Sequence, residues 1–183
     1  MAERMTSLSW GCCMRTGGIV VRPEQLGDAG AIYAVHAASF PSAKEARLVD
    51  LLRAAGRLCV SLVAEVDGVV IGHIAFSLVT VKTGACGAGL APLAVAGSHR
   101  RQGVAAALVR AGLEACRAAG FGWVVVLGEP AYYSRFGFRA GSEFGLYDEY
   151  SGGPAFQCVE LAPGTMPAEA GLVRYAPEFA SLG

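Results

Sequence analysis

The middle of the chain contains two apolar, strand-like runs separated by a helix-like segment. The first run is LAPLAV, residues 90–95, and the second is WVVVL, residues 123–127. The apolar residues between them recur at the spacing of one helical face: Val104, Leu108, Ala111 and Ala115. A run that is apolar at every position is typical of a strand buried on both faces. Residues 90–127 therefore predict a strand–helix–strand unit with parallel strands, which places the chain in the α/β class.

Two further apolar runs lie upstream and are joined by a tight turn. CVSLVAEV, residues 59–66, and VVIGHIAFSLVTV, residues 69–81, are separated only by Asp67 and Gly68. An Asp-Gly pair between two runs rich in β-branched residues is typical of a β-hairpin. We therefore expect an antiparallel pair beside the parallel unit, so that the sheet is mixed.

Two helices are predicted between the first strand, which begins at Ile19, and the hairpin. Asp28 can cap a helix that runs to about Phe40. Ser42 and Glu45 form the S-x-x-E pattern of a capping box, which predicts the start of a second helix. Near the end of the chain, AYYSRF predicts a short helix and AFQCVELA predicts a last strand.

The chain is predicted to form one domain. With 54% hydrophobic residues it has ample apolar material for a core, and no linker or repeat divides residues 19–183. Residues 1–18 precede the first strand-like pattern and are expected to form a flexible N-terminal arm, with Met14 as an alternative start. This arm is too polar for a signal peptide, so we expect no secretion.

Charge and cysteine usage exclude several classes of protein. Fifteen Lys and Arg residues balance fifteen Asp and Glu residues, so the chain lacks the basic field that attracts proteins to nucleic acid or to anionic membranes. The longest runs without these residues, 68–81 and 83–98, are shorter than the ~20 residues of a spanning helix. Six irregularly spaced cysteines without a C-x-x-C pair favour free thiols over a metal site or a disulfide framework. We expect a cytoplasmic protein without metal, nucleic-acid or membrane partners.

The turn before the predicted middle helix carries an anion-binding pattern, R-x-x-G-x-A. It stands where a strand ends and a helix begins, so that unpaired N–H groups and the positive end of the helix dipole converge there. Gly103 lets a ligand approach the backbone, and Arg100 and Arg101 add charge that suits phosphates. Alone, this pattern fits an anion site and an ordinary turn with two solvated arginines equally well.

The order of the motifs resembles a known family. R-x-x-G-x-A after an LAV strand, then an Ala-rich helix, a valine strand and AYYSRFGF, is similar to the GNAT superfamily of acyl-CoA-dependent N-acetyltransferases. The resemblance covers roughly residues 19–161. PLAV, GEPAYYSRFGF and FQCVEL are similar to its YhbS-like branch of predicted bacterial acetyltransferases. The resemblance implies a GNAT-like fold, with a mixed, mostly antiparallel sheet flanked by helices, and acetyl-CoA as co-substrate without metal.

The resemblance also implies where CoA would bind. The backbone of Leu93, Ala94 and Val95 would pair with the pantetheine arm, which requires a free strand edge. Pro92 agrees with this, because proline cannot donate to a sheet and marks a bulge or an exposed edge. The phosphates would be held by the turn and the first helical residues: Arg100, Arg101, Gln102, Gly103, Val104, Ala105 and Ala106.

In the mechanism that the family implies, a neutral amine attacks the thioester directly in a ternary complex. Catalysis is then mostly positioning and proton transfer. Tyr133 matches the family's tyrosine that protonates the departing CoA thiolate, whereas Tyr132 is expected to pack. A backbone N–H of the PLAV strand would polarise the thioester carbonyl.

The general base stays open, because LAPLAV offers no carboxylate. His73 and Ser77 share one face of their predicted strand and can relay a proton through water, although a satisfied core histidine is the plainer interpretation. Glu45, in its predicted capping box, and water are the other candidates. His36 and His99 have weaker claims.

The acceptor is expected to be a primary amine of a small molecule or of a protein. A polar segment before the last strand either attracts a cationic amine or forms a solvated loop: Glu143, Tyr147, Asp148, Glu149 and Tyr150. The alternative function is a non-catalytic acyl-CoA-binding or sensing module, which the missing strand carboxylate permits and Tyr133 argues against. The sequence is compatible with a monomer or a homodimer.

Overall fold

The fold is built on a mixed β-sheet flanked by helices. The computed structural model describes residues 14–16, 18–169 and 171–182. Its strands are β1 (Met14–Thr16), β2 (Ile19–Pro23), β3 (Leu58–Val66), β4 (Val69–Thr80), β5 (Cys86–Val95), β6 (Trp123–Leu127), β7 (Arg139–Ala140), β8 (Leu146–Asp148), β9 (Phe156–Glu160) and β10 (Gly171–Val173). Its α-helices are α1 (Ala29–Ser39), α2 (Lys44–Ala54), α3 (Val104–Ala118) and α4 (Pro130–Tyr133), and a C-terminal 3-10 helix spans Pro177–Leu182.

Eight of these strands form one sheet, in the order β1-β2-β3-β4-β5-β6-β9-β7, while β8 pairs with β10. Neighbours in the large sheet are antiparallel, except that β5 and β6 are parallel and are joined through α3. Asp67 and Gly68 form the turn between β3 and β4 with φ angles of 49° and 78°. The predicted hairpin, strand–helix–strand unit and mixed sheet are therefore confirmed.

Helices cover both faces of the sheet. Helix α3 lies so close to β4 that a Cβ on Gly112 would stand 2.4 Å from the Phe76 ring, which explains a glycine in the middle of a helix. On the other face, Ile32 of α1 and Val49 of α2 pack against Val63 of β3 in a buried cluster. The central strands are therefore buried on both sides, as their unbroken apolar sequence predicts.

Strand pairing begins earlier in the chain than the sequence predicts. Strand β1 pairs with β2 in antiparallel register, with Met14 opposite Val21. Residues 14–16 thus belong to the sheet, which corrects the prediction that the whole segment 1–18 is a flexible arm. Residues 1–13 lie outside the described residues.

The side chain of Asp28 does not cap α1, although Asp28 directly precedes this helix. Its carboxylate accepts hydrogen bonds from Arg22 Nη1 at 2.6 Å and from the Gln25 N–H at 2.7 Å. Contact with the guanidinium lowers the pKa of Asp28. The predicted cap is lost because a charged, hydrogen-bonded partner is the stronger competitor for the carboxylate.

The capping box predicted from Ser42 and Glu45 does not form. Helix α2 begins at Lys44, with Ala43 in the cap position and the Lys44 N–H 3.3 Å from Ser42 Oγ. Glu45 then lies two residues after the cap instead of the three that a capping box needs. Among the described residues, the Glu45 carboxylate therefore takes no part in a cap of α2.

A chain of buried polar groups links α1, β3 and β4. His36 Nε2 lies 2.8 Å from His73 Nδ1, and His73 Nε2 lies 2.8 Å from Ser61 Oγ. Ser61 in turn donates to Glu24, whose Oε1 accepts a hydrogen bond from Arg53 Nε at 2.6 Å. Burial lowers the pKa of His36 to about 3 and also lowers the pKa of His73. Both rings are therefore neutral at neutral pH.

Acid is expected to destabilise the protein through this pair of histidines. A histidine whose pKa is lowered in the folded state contributes stability above its unfolded pKa of about 6.5, and that stability is lost as the pH falls. For each such histidine, the free energy of unfolding falls by at most about 1.4 kcal/mol per pH unit. This corresponds to roughly 3–5 °C in Tm for a domain of this size. We expect Tm to fall as the pH is lowered from 6.5 to 4.5, and to fall less steeply with pH in the variant His36→Gln. His99→Asn, outside the network, is the control, and a flat Tm in the wild type would contradict the expectation.

The described cysteines are free thiols: Cys59, Cys86, Cys116 and Cys158. Burial raises the pKa of Cys158 to about 12 and raises that of Cys116 as well, so neither is a reactive thiolate. Within the described ranges, no cluster of three or more His, Cys, Asp or Glu side chains is arranged to hold a metal ion. No helix in those ranges has both the length and the apolar character needed to cross a membrane.

Candidate active site

The parallel strands β5 and β6 pair only briefly and then separate. Residues 88–90 of β5 face β6, and the paired register ends there. The β4–β5 register shifts between Ile74 and Phe76, so that β5 carries an extra residue around Pro92. The bulge and the free edge that Pro92 predicts are both present. Residues 91–95 consequently border a gap in the sheet.

The backbone of Leu93 and Val95 faces this gap. Ala96, the residue after β5, donates its N–H to the Ile71 carbonyl of β4 at 2.8 Å. Because backbone groups alternate in direction along a strand, Ala94 also faces β4, whereas Leu93 and Val95 face away from it. The Val95 carbonyl accepts hydrogen bonds from Ser39 Oγ and Arg100 Nε, each at 3.2 Å. The N–H groups of Leu93 and Val95 are thus directed into the gap as donors.

Free backbone N–H groups also converge at the start of α3. A bond from the Ala107 N–H to the Gly103 carbonyl, at 2.9 Å, opens the helix. The N–H groups of residues 103–106 have no backbone acceptor in the part of the chain that the structure describes. Arg101 and Gly103 adopt left-handed backbone with φ of 60° and 86°, a conformation that in a residue such as arginine often marks a functional turn. A Cβ on Gly103 would meet no heavy atom within 4 Å, so the space before the turn is open.

This turn forms one wall of a cavity of about 340 Å³, which we term the anion cavity. Its lining comes from the end of β5, the turn, the start of α3, and α4 with the segment that follows it: Val95, His99, Arg100, Arg101, Gly103, Val104, Ala105, Ala106, Tyr132 and Arg135. Among the described residues, this lining includes three arginines and no acidic side chain. Most of these residues are those that the sequence assigns to the phosphate site.

The side chains near the turn differ in what they can offer an anion. Arg100 donates from Nε to the Val95 carbonyl at 3.2 Å and from Nη2 to the Ser39 carbonyl at 3.4 Å. As the predicted phosphate ligand, it can therefore offer only its remaining N–H groups. Gln102 donates to the Ser98 carbonyl at 2.9 Å and does not line the cavity. Arg101 is exposed at the cavity wall. The backbone donors and Arg101 are therefore the main groups available to an anion.

Two adjacent tyrosines follow β6 and occupy different positions. The Tyr133 ring is buried, packs edge-on against Phe138 with 5.6 Å between centroids, and would collide with a Cβ on Gly128. Burial, with a smaller effect of Tyr132, raises the pKa of Tyr133 to about 12. Tyr132, which the sequence predicts to pack, lines the anion cavity beneath Arg135, whose guanidinium carbon lies 4.4 Å from the ring centroid.

A second cavity, of about 430 Å³, shares the end of β5, and we term it the apolar cavity. Its walls come from the residue after α1, from α2, β5 and β6, from the segment between β8 and β9, and from the C-terminal segment: Phe40, Glu45, Leu48, Leu90, Ala91, Pro92, Leu93, Leu127, Tyr150, Tyr175, Phe179 and Leu182. Glu45 is the charged member of this lining. Its Oε2 atom is buried and has no hydrogen-bond partner among the described residues.

The remaining base candidates lie elsewhere. His73 is fully buried, and its ring nitrogens contact His36 and Ser61, so it belongs to the internal network instead of either cavity. Ser77 is also buried, and its hydroxyl has no hydrogen-bond partner among the described residues, His73 included. His99 lines the anion cavity and contacts Ser98 Oγ.

The polar segment before β9 reaches the apolar cavity only in part. Tyr150 lines the cavity. Asp148 accepts hydrogen bonds from backbone N–H groups of its own turn, and Glu149 accepts one from the Tyr175 N–H at 2.9 Å. Glu143 pairs with Arg139 away from both cavities. The acidic side chains of this segment therefore support loops, and Glu45 is the carboxylate in the cavity lining.

Sequence reasoning missed several lining residues, among them Arg135, Tyr175 and Phe179. Arg135 stands within AYYSRF, next to the tyrosine pair, where its charge was a usable signal. Tyr175 and Phe179 lie in a proline-containing tail without regular hydrophobic spacing. Their rings pack 5.3 Å apart, and Phe179 joins a buried cluster with Leu48 and Leu52. That position depends on a long-range contact that no local pattern reports.

Comparison with known proteins assigns this chain to a family. Residues 29–138 match the acetyltransferase (GNAT) family, and the chain belongs to that family. It is 42% identical over 164 residues to the uncharacterized N-acetyltransferase YhbS of Escherichia coli K12, covering 88% of this chain and 98% of YhbS. The resemblance predicted from the motifs is thus confirmed.

Solved structures agree with this assignment. The crystal structure of Escherichia coli YhbS in complex with CoA matches with a TM-score of 0.86 and 42% identity, covering 90% of this chain and 93% of that one. A GNAT family acetyltransferase from Brucella melitensis, in complex with acetyl-CoA, matches with a TM-score of 0.74 and 38% identity, covering 88% and 97%. The fold is accordingly the GNAT fold.

Proposed function

We propose that this protein is an N-acetyltransferase that binds acetyl-CoA and an amine together and transfers the acetyl group in one step. The observation that carries the proposal is that the last residues of β5 line two different cavities. Val95 contributes to the anion cavity, and Leu93 contributes to the apolar cavity with its buried carboxylate. A donor and an acceptor held in these cavities would meet at one strand end, which supplies the proximity that direct transfer needs.

The anion cavity fits the phosphates of acetyl-CoA. Free N–H groups at the start of α3, an open space before Gly103 and an exposed Arg101 are the features that a pyrophosphate requires. The relatives from Escherichia coli and Brucella melitensis hold CoA and acetyl-CoA respectively, which supports the same donor here. Acetyl-CoA would supply an acetyl group already activated as a thioester.

The Leu93 N–H at the gap and Tyr133, which follows β6 and is not part of the described lining of either cavity, would manage charge and protons. The Leu93 N–H points into the gap and would donate to the thioester carbonyl as negative charge develops there. Tyr133 would donate its phenolic proton to the departing thiolate, and its raised pKa keeps that proton in place at neutral and mildly alkaline pH.

Among the candidate bases, geometry favours Glu45. Glu45 lines the apolar cavity, and its Oε2 atom has no hydrogen-bond partner among the described residues. Its carboxylate can accept a proton from an ammonium group directly or through water. His73 is enclosed by His36 and Ser61 and contacts neither cavity. Proton removal through Glu45 generates the neutral amine that attacks the thioester.

The test is an acceptor panel incubated with acetyl-CoA, with released CoA thiol as the readout. Aromatic and aliphatic amines, polyamines, aminoglycosides, amino acids and peptides cover the main amine classes. We expect at least one class to release thiol at a rate that saturates with amine concentration. Tight CoA binding without thiol release from any class would overturn the transferase proposal and favour a sensing module.

A further inference from the structure

The apolar cavity has an unusual distribution of polarity. Its walls are aliphatic and aromatic side chains, and no Lys, Arg or His belongs to the described lining. Two polar atoms of the lining are buried without hydrogen-bond partners among the described residues, namely Glu45 Oε2 and the Tyr175 hydroxyl. A buried polar atom without a partner is unfavourable, so each is a position where a ligand group would be stabilising.

The Glu45 carboxylate favours a ligand that carries one positive charge. An ammonium group carries three donors and a positive charge, and it would satisfy Glu45 by a charge-assisted hydrogen bond. The aromatic rings in the lining, Phe40, Tyr150, Tyr175 and Phe179, can also stabilise a nearby cation through their faces. A ligand with a second or third charge would find no further charged partner in this lining.

The size and polarity of the cavity walls determine which kind of ligand body fits. At about 430 Å³ the cavity lies in the lower part of the usual range for ligand sites, roughly 300–1,000 Å³. Leu48, Leu90 and Leu127 offer apolar contact and no hydrogen bonds, so a body with several hydroxyl groups, such as an amino sugar, would leave most of them unmet even if one bonded to the Tyr175 hydroxyl. A compact apolar or aromatic body matches this environment.

We propose, resting on the transferase function above, that the acceptor is a primary amine on a short tether to a compact apolar or aromatic group. Glu45 holds its ammonium group, and the aromatic and leucine side chains hold its body. The free N–H groups of Leu93 and Val95 then lie at the gap beside the amine. Two sources share this chemistry, a small free arylalkylamine and the N-terminus of a peptide that begins with an aromatic residue.

The experiment measures amine binding by isothermal titration calorimetry, with CoA at saturation. The probes are 2-phenylethylamine, 2-phenylethanol, which lacks the ammonium group, and putrescine, which lacks the apolar body. We expect 2-phenylethylamine to bind about 10- to 100-fold more tightly than either comparator, as a charge-assisted hydrogen bond combined with apolar burial implies. Equal or tighter binding of putrescine would overturn the proposal.

Variants identify the residue responsible. Glu45→Gln keeps the shape but removes the charge, and it should weaken 2-phenylethylamine by about 10-fold or more while leaving 2-phenylethanol and CoA affinity unchanged. Asp50→Asn is the matched control, because Asp50 lies on the same helix, is exposed and does not line the cavity. Unchanged amine affinity in Glu45→Gln would overturn the role of Glu45, and unchanged CoA affinity shows that the variant is folded.

Calorimetry separates the two ligand sources, and calorimetry together with the thiol-release assay separates the acceptor proposal from the transferase proposal. A Phe-initiated tripeptide that binds as well as 2-phenylethylamine assigns the site to peptide N-termini, whereas much weaker binding assigns it to free amines. Amine binding that depends on Glu45 without any thiol release contradicts the transferase proposal alone. Thiol release with polar amines and none with 2-phenylethylamine contradicts the acceptor proposal alone.

Discussion

Replacing Gly103 by glutamate is expected to lower CoA affinity by at least about 100-fold. Gly103 has a φ of 86°, and a Cβ at this position would enter open space in front of the free N–H groups. A glutamate there would carry its charge into the anion cavity. Two like charges about 4 Å apart repel by about 4 kcal/mol at an effective dielectric constant near 20, and 100-fold corresponds to about 2.8 kcal/mol. Calorimetric titration with CoA measures the effect.

Gly103→Asn is the control for backbone strain. Both variants place an L side chain at a left-handed φ, but asparagine tolerates this conformation and carries no charge. Its CoA affinity is expected to stay within about 10-fold of the wild type, since the remaining change is one of size. Unchanged affinity in Gly103→Glu would refute the phosphate site. An equal loss in both variants would assign the effect to the turn's conformation.

The sequence predicts this turn well because its signals are local. A strand, a glycine that can adopt positive φ and an Ala-rich helix follow one another within a few residues, and each acts through its own backbone preference. The hairpin at Asp67 and Gly68 is predictable for the same reason. The bulge at Pro92 follows from the missing N–H of proline, which no tertiary contact can restore.

Glu45 shows where local reasoning fails. The S-x-x-E pattern fits a capping box, but the helix starts one residue later, at Lys44, and Glu45 faces the apolar cavity. Helix α2 packs against the C-terminal 3-10 helix, more than a hundred residues away, a contact that no local pattern reports. A capping pattern is a weak preference of about 1 kcal/mol, which such packing can override.

His73 is a similar case with a different cause. Its place on an alternating strand predicts which face it lies on, but its partners come from α1 and β3. Only the assembled sheet and helices bring His36, Ser61 and Glu24 to its ring. Sequence spacing therefore predicts the face of the strand and leaves the chemistry of the side chain undetermined.

Replacing Tyr133 by phenylalanine is expected to lower kcat by about 10²- to 10⁴-fold, the usual contribution of a positioned acid. The variant removes one hydroxyl and keeps the ring that packs against Phe138. CoA affinity and Tm should therefore change little, and KM for the amine should stay close to its wild-type value. Because the pKa of Tyr133 is raised to about 12, the wild-type kcat should show no loss from deprotonation of this group between pH 7 and 10.

Tyr132→Phe separates the two tyrosines. Tyr132 lines the anion cavity, and its hydroxyl is buried without a partner among the described residues. It is therefore the neighbour that would take over the acid role if Tyr133 does not hold it. We expect Tyr132→Phe to affect mainly CoA affinity, by less than about 10-fold, because a neutral hydrogen bond contributes about 1 kcal/mol. Near-wild-type kcat in Tyr133→Phe together with a large loss of kcat in Tyr132→Phe would transfer the proton-donor role to Tyr132, because loss of the acid that protonates the thiolate lowers kcat.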